Sequence, residues 1–377
     1  MARIIFFVNS MQGGGAERVA ALLCNRWVEK GHKVTLVPTY SQRGTNLYPL
    51  NDKVKLIFLA DVVGTKKKTI WAALNRVWSM RKLVKTTRPD VVLSFLPQVN
   101  IVTLLATRGL NIPVVVSERV FPPAFKIGKI WERLRKITYP FAKRVVMQTE
   151  GGLDWLKNDI GAANGVAIPN PCAFPLPIDK PIVKSSLFTS ENRNLLLAVG
   201  RLEEQKQFDL LLRCFAKLSA RYSDWDLAII GEGDKRQSLE DQIENLGLKH
   251  RAYLPGRIGN VGDWYSRADI YALTSRFEGF PNSLLEALSH GVPSISFDCA
   301  TGPAEMIIDR QNGFLISPKD GEIAFSNRLE KLMSNEALRK SMSRHAVEVR
   351  EKFSFEKVGA KWDRVLGLTS DVQHDRN

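Results

Sequence analysis

The chain is predicted to be an α/β protein made of two doubly wound, Rossmann-like domains facing an interdomain cleft. Three observations predict this. Short β-branched and aromatic runs alternate with segments of helical period along the whole chain, as in parallel sheets flanked by helices. The alternation breaks once, at Ile168-Pro-Asn-Pro-Cys-Ala-Phe-Pro-Leu-Pro177, where four prolines in ten residues read as a linker. And 377 residues leave room for two ordinary cores. The expected division is a first domain over 1–172, a linker over 173–193 and a second domain over 194–352. A C-terminal helix and tail follow over 353–377, and return of that helix to the first domain is left open.

The elements follow in order. Ile4-Ile-Phe-Phe-Val8 gives a first buried strand, placed at 3–8; its apolar run is too short for a signal peptide. Helical period then covers 16–30, and Val34-Thr-Leu-Val37 marks a strand at 33–38. Further strands are expected at 54–59, 91–95, 114–117 and 145–148, with helices at 69–86, 99–108, 129–139 and 151–158. Beyond the prolines, Leu195-Leu-Leu-Ala-Val-Gly-Arg201 opens a second strand–loop–helix series, continued at 227–231, 270–274, 294–297 and 313–316. Doubly wound domains take their ligands at the carboxyl ends of the strands. The candidate residues are therefore sought there.

Composition narrows the chemistry. A hydrophobic fraction of 44% and a charged fraction of 25% are those of a soluble globular protein. Cys24, Cys172, Cys214 and Cys299 are scattered without a Cys-x-x-Cys pair, and the five histidines are equally dispersed. This fits a reducing compartment and predicts neither a disulfide framework nor a metal cluster. No apolar run approaches the ~18 residues of a membrane span, so a cytoplasmic protein is expected.

One block carries the most specific signal: Arg276-Phe-Glu-Gly-Phe-Pro-Asn-Ser-Leu-Leu-Glu-Ala-Leu288. Glu278 and Glu286 lie eight residues apart, with Gly279, Phe280, Pro281, Asn282 and Ser283 forming a turn between them. Pro281 suits the first turn of a helix, since its missing N–H would be unpaired there anyway. Glu278 is then placed in the loop before the helix and Glu286 on its inward face. The amides of Asn282, Ser283 and Leu284 would point out of the helix start, where partial positive charge attracts phosphate. Two hydroxyl-binding carboxylates around a phosphate cradle suit a sugar nucleotide. An ordinary capped helix with two surface glutamates is the competing reading.

Other loops fall on the same edges. Gly13-Gly14-Gly15, then Ala16 and Glu17, lies between the first strand and first helix, where glycine allows close backbone approach to an anion. It lacks the Gly-x-Gly-x-x-Gly spacing, and no acid ends the second strand as a nicotinamide cofactor's ribose would want. Gly200-Arg201-Leu202 with Lys206 offers a guanidinium and an ammonium that can grip a diphosphate from two sides. Gly231-Glu-Gly-Asp234 and Leu254-Pro-Gly-Arg257 end further strands and would line a nucleotide pocket. Thr301-Gly-Pro-Ala-Glu305 reads as another helix start. Asp224-Trp-Asp226 sits on the wrong end of its strand and is read as turn and capping chemistry rather than a metal site.

These motifs, in this order, resemble family-4 retaining glycosyltransferases of the GT-B fold, over essentially the whole chain. Within that family the chain looks most similar to bacterial enzymes that extend lipid-linked oligosaccharides or surface polysaccharides, including the N-acetylgalactosaminyltransferases of protein N-glycosylation. The resemblance implies that Arg201 and Lys206 hold the donor diphosphate, Glu278 the donor-sugar hydroxyls and Glu286 the ribose. It implies that the Gly13–Gly15 loop meets donor phosphates and acceptor. It also implies retention of configuration with no metal and no cofactor beyond a nucleotide sugar, expected to be UDP-linked, as co-substrate. We favour front-face transfer, with Glu278 as a covalent nucleophile the lesser alternative. Where many relatives place a histidine facing the donor sugar, this chain reads Ser117-Glu118-Arg119. Glu118 is left either to bind an acceptor hydroxyl or to pair with Arg119.

Charge is concentrated. Residues 64–145 hold seventeen Lys and Arg against three acids, so one stretch carries almost all of the +15 net charge. Lys66, Lys67, Lys68, Arg76, Arg81, Lys82, Lys85 and Arg88 flank an apolar series Ile70, Leu74, Val77 and Val84, with Trp71 and Trp78 to one side. A second helix sets Lys129, Arg133 and Lys136 on one face. We expect these helices to lie on an anionic membrane surface, making the protein peripheral at the inner face of the plasma membrane and close to a polyprenyl-diphosphate-linked glycan acceptor. Nucleic acid is not expected as a partner, because no aromatic residues interleave with basic ones on a sheet face. Two other readings stay open. A sugar-nucleotide epimerase would need an acid/base pair that is not evident, and a non-catalytic two-domain sugar- or nucleic-acid-binding protein leaves Arg201, Lys206 and the glutamates unexplained.

Overall fold

The computed structural model describes residues 1–12, 14–39, 48–63 and 70–369. The chain divides into two units, Met1–Pro171 with the segment from Glu356 onward, and Cys172–Phe355.

The first unit is a seven-stranded parallel sheet: β1 (Arg3–Val8), β2 (Lys33–Pro38), β3 (Lys55–Leu56), β4 (Val91–Phe95), β5 (Val114–Ser117), β6 (Arg144–Met147) and β7 (Gly165–Ala167), in the order β3-β2-β1-β4-β5-β6-β7. The order reverses between β1 and β4, which pair from Ile4 with Val91 to Phe7 with Ser94. Alternation along β1 explains why the run is apolar throughout: both faces are covered. Ile5 and Phe7 join one core cluster with Val92, Val116 and Met80. Phe6 meets Trp27 and Phe95, and Phe95 meets Trp362.

The second unit holds six parallel strands: β8 (Asn194–Val199), β9 (Trp225–Ile230), β10 (Ala252–Gly256), β11 (Ile270–Leu273), β12 (Ser294–Phe297) and β13 (Gly313–Ile316), ordered β10-β9-β8-β11-β12-β13. Leu196 and Ala198 enter one core and Leu195 and Leu197 the other. The reversal lies between β8 and β11. Loops leaving those two strands diverge and open the crevice where doubly wound folds take ligands.

Three differences from the sequence reading, and one point it left open, have local causes. The strand expected at 54–59 shrinks to Lys55–Leu56, and helix Leu59–Val63 follows at once. β7 went unseen because Gly165-Val-Ala167 is too short to show a period. The segment 173–193 is no free linker. Cys172, Leu176, Val183 and Phe188 pack on the second unit, Val183 N donates to Asn260 Oδ1, and Trp264 Nε1 donates to the Val183 carbonyl. Prolines fix its path, while its apolar residues glue it down. Finally, the terminal helix Phe355–Leu366 belongs to the first unit. Asp363 accepts from Trp27 Nε1 at 2.9 Å and pairs with Arg26 and Lys30 at 3.1 and 2.8 Å.

Candidate active site

In the second unit the loops after β8 and β11 are stitched together across the reversal. Thr274 Oγ1 donates to the Lys206 carbonyl at 2.7 Å, Arg276 N to the Gln205 carbonyl at 2.9 Å, and Gln205 Nε2 to the Phe277 carbonyl at 2.7 Å. This backbone scaffold brings Lys206 Nζ to 2.6 Å from Glu278 Oε1, with the side chains 13% and 10% exposed. An ion pair that shielded feels a stronger field than a surface pair. Behind it, Thr301 Oγ1 donates to the Glu278 carbonyl at 2.6 Å. The motif around Thr301 thus supports the glutamate loop, although residues Pro303–Glu305 form a single 3-10 turn rather than the expected longer helix.

The helix after this loop spans Asn282–Ser289, and Pro281 is its N-cap instead of a first-turn residue. The reason is that Pro281's carbonyl is needed to start the turn: it accepts from the amide of Leu284 at 3.1 Å. That amide therefore does not point outward as expected. Phe280 is 6% exposed and packs edge-on against Phe353, so its ring serves the core. Glu286 is buried as expected, and Tyr265 OH donates to its Oε2 at 3.1 Å. Tyr271 OH bonds to Ser283 Oγ at 2.7 Å, with burial pushing this phenol well above the ordinary range. Sequence reasoning missed both tyrosines. Only the fold shows where their hydroxyls reach.

Arg201 departs from the expected grip beside Lys206. It is 72% exposed and its Nη1 pairs with Glu203 at 2.8 Å. Gly279 sits between Glu278 and Phe280 in the same loop. Gly231, at φ +145°, follows β9, and a Cβ there would lie 1.9 Å from the Gly200 carbonyl oxygen. That close approach lets the Gly200 and Gly231 loops lie side by side. Arg257 is exposed just after β10. Asp226 is occupied by Arg193 at 2.8 Å and Arg251 at 3.3 Å, so its carboxylate ties strand ends together instead of capping a turn.

In the first unit Gly13 lies outside the described residues. Gly14 caps helix Gly15–Glu29 from φ +152°, and its amide donates to Tyr48 OH at 3.3 Å. Glu17 is 9% exposed, accepts from Ser10 Oγ at 2.9 Å, and lies where a Cβ on Gly14 would fall. Glu118 does not pair with Arg119. It is 2% exposed, lies 3.2 Å from Arg135 Nε and accepts from Tyr139 OH. Residues 118 and 119 follow β5 directly, and their side chains reach different partners. Burial pushes the Glu118 carboxyl up, opposed by Arg135 and Tyr139. Arg119 faces Asn170 and the Phe95 ring. A cavity of about 520 Å³ also opens in this unit, lined by Leu104, Arg108, Pro113 and Phe141 among others, and holds none of the candidate residues.

Residues 13–172 match the family model "Glycosyltransferase Family 4" and residues 179–349 match "Glycosyl transferases group 1". A Campylobacter jejuni protein named as an alpha-1,4-N-acetyl-D-galactosaminyltransferase acting on a GalNAc- and diNAcBac-bearing PP-undecaprenol is 30% identical over 99% of this chain and 100% of its own. Sucrose-phosphate synthase of Thermosynechococcus elongatus superposes with a TM-score of 0.83 at 15% identity, over 98% of this chain and 99% of that one. HepE of Anabaena, solved with UDP and glucose, gives 0.81 at 17% identity over 98% and 100%. With both family models matched in sequence order and a relative aligned end to end, this chain belongs to the family-4 glycosyltransferases of the GT-B fold.

Proposed function

We propose that the enzyme moves a hexose or N-acetylhexosamine, with N-acetylgalactosamine the leading candidate over galactose and glucose, from a UDP-sugar to a polyprenyl-diphosphate-linked glycan, with retention and without a metal ion. The observation that carries this reading is the Lys206–Glu278 pair, set at the sheet reversal and followed by buried Glu286 on the next helix. The named substrate of the Campylobacter relative supports the acceptor class, and the UDP and glucose bound by HepE support the donor class.

In this reading Lys206, with three N–H donors, holds Glu278 and a donor phosphate oxygen together. Arg201, exposed on its loop, swings onto the same diphosphate. Their two charges and the start of helix Asn282–Ser289 stabilise the leaving diphosphate, the task a metal ion performs in other transferases. Glu278 orients the sugar and Glu286 the ribose. As the anomeric carbon–oxygen bond to diphosphate breaks, the acceptor oxygen bonds to the same face and gives its proton to a phosphate oxygen. Glu278, neutralised by Lys206, is a poor covalent nucleophile, which favours the front-face path.

The same reading places the first unit on an anionic membrane. Trp78 and Leu74 of helix Ile70–Thr87 are exposed, as are Ile130 and Ile137 of helix Lys129–Thr138, beside exposed Lys129, Arg133 and Lys136. Leu74 faces out, against the sequence expectation, because Met80 and Val84 supply that helix's core contacts. Lys66, Lys67 and Lys68 lie outside the described residues.

The test is a panel of UDP- and GDP-sugars with a short-chain polyprenyl diphosphate glycan, with and without EDTA, scored by anomeric coupling in the product. An α-linked product formed equally well in EDTA is expected. A β-linkage from an α-donor, or loss of rate in EDTA, would overturn retention or metal independence.

A further inference from the structure

Arg119 is a buried cation whose partners do not suffice. It is 7% exposed, two residues past β5, and lies over the Phe95 ring with its guanidinium carbon 4.5 Å from the centroid. Its Nη2 donates to Asn170 Oδ1, the oxygen that Gln148 Nε2 also reaches at 3.0 Å. Nε and Nη1 are buried and make no hydrogen bond among the described residues, and Gln148 Oε1 is equally unpartnered. Arg135, as deeply buried, faces the carboxylates of Glu118 at 3.2 Å and Glu132 at 3.0 Å. No such ion pair forms on Arg119 among the described residues. Glu17 acts on it only through space, burial dominates, and its pKa is pushed down to about 9. Native proteins rarely bury donors without acceptors, and a cation least of all.

The surroundings say what is missing. Phe95 ends β4, Gln148 and Asn170 follow β6 and β7, and Ser10 and Glu17 follow β1. The orphan N–H groups thus lie at the carboxyl edge of the sheet, near the amino end of helix Gly15–Glu29, where an oxyanion is favoured. A guanidinium is the side chain best matched to phosphate oxygens. We infer that Arg119, positioned by Asn170 and Phe95, anchors an anion subsite in the first unit that takes an oxygen of a diphosphate. This rests on the glycosyl-transfer reading only for the source of that oxygen, since both the donor and the lipid-linked acceptor carry diphosphates.

Inorganic pyrophosphate titrated calorimetrically into full-length protein carrying both Arg201→Gln and Lys206→Gln isolates this subsite from the two cations of the second unit. Binding is expected to persist there and to weaken at least tenfold when Arg119→Gln is added, with partial recovery for Arg119→Lys. Equal affinity with and without Arg119 would overturn the inference. Should Arg119→Gln fail to fold, the Nε–H resonance of Arg119, assigned by its loss in Arg119→Lys, must shift on pyrophosphate addition, and indifference at saturation sinks the idea. With Arg201 and Lys206 intact, a raised KM for UDP-sugar alone assigns the oxygen to the donor, and for polyprenyl diphosphate alone to the acceptor. Unchanged KM for both counts against the subsite. A wild type that turns over no sugar nucleotide yet binds pyrophosphate through Arg119 removes the functional reading and leaves the subsite standing.

Discussion

Lys206 and Glu278 each need the other before any substrate arrives, and this coupling shapes what their substitution does. Glu278→Gln keeps the size of the side chain and a hydrogen bond to Lys206 while removing the charge. Transfer is expected to fall ~100- to 1000-fold, the loss seen when one preorganised electrostatic group is removed, with the thermal midpoint almost unmoved. Steady-state rates beside a melting curve check it, and wild-type kcat/KM would contradict the site. Glu118 behaves oppositely. It sits in a buried set with Arg135 and Tyr139, and Glu118→Ala leaves the 1%-exposed Arg135 with only the partly exposed Glu132 as its carboxylate. Removing one partner of a buried pair costs about 3–5 kcal/mol. Urea unfolding should show that loss, whereas folded Glu118→Ala protein should retain near-normal KM for both substrates.

Elements turn these residue effects into architecture, and two helix ends give measurable cases. Asp363 anchors helix Phe355–Leu366 to the first unit through Arg26, Trp27 and Lys30. Asp363→Ala leaves Arg26 its pair with Glu356 but takes the acceptor from buried Trp27 Nε1, and should cost about 1–3 kcal/mol. Limited proteolysis should then cut first at this helix, and an unchanged digestion pattern would contradict the anchoring. At the end of helix Asn282–Ser289, His290 Nδ1 lies 2.8 Å from the Glu286 carbonyl and so carries the proton it donates. Burial lowers the His290 pKa below its usual 6.5, against the pull of Glu286. The folded state therefore binds a second ring proton less readily than the unfolded chain, so the stability the neutral ring contributes is complete above pH 6.5 and is lost as pH falls through the lowered value. His290→Gln should flatten the decline in urea midpoint between about pH 8 and about pH 5, and an unaltered slope would remove His290 from the account. The same elements show what was legible in the sequence. Continuous apolar runs such as Ile4–Val8 and Leu195–Val199 announce strands buried on both faces, and the Glu278–Glu286 spacing marks the loop–helix junction. Side-chain direction at strand ends was not legible, because Glu118 and Arg119 diverge only once Arg135 and Asn170 have been folded into place.

For the whole molecule, charge distribution is the property that sequence and structure describe together. The sequence concentrates basic residues in one stretch, and the structure adds that apolar side chains stand among them in water: Trp78 is 61% exposed and Ile130 77% exposed. Scattered exposed apolar residues are ordinary. Here they share helices with Lys82, which lies 5.6 Å from the Trp78 ring centre, and with Lys129, Arg133 and Lys136. Aromatic and aliphatic groups flanked by cations suit the headgroup boundary of an anionic bilayer, where each Lys or Arg contributes about 1 kcal/mol. Reversing Lys129, Arg133 and Lys136 to glutamate should cost at least about 3 kcal/mol of vesicle affinity, roughly a hundredfold. Co-sedimentation with vesicles rich in phosphatidylglycerol should therefore fail for the triple variant and fall for the wild type as salt is raised, because counterions screen exposed charge within ~10 Å at 0.1 M. Trp78→Ser should weaken binding in a manner nearly independent of salt, since it removes apolar insertion and leaves the charges in place. Equal pelleting of wild type with neutral and anionic vesicles would refute membrane docking through these helices, and the Lys206–Glu278 site would be unaffected by that outcome.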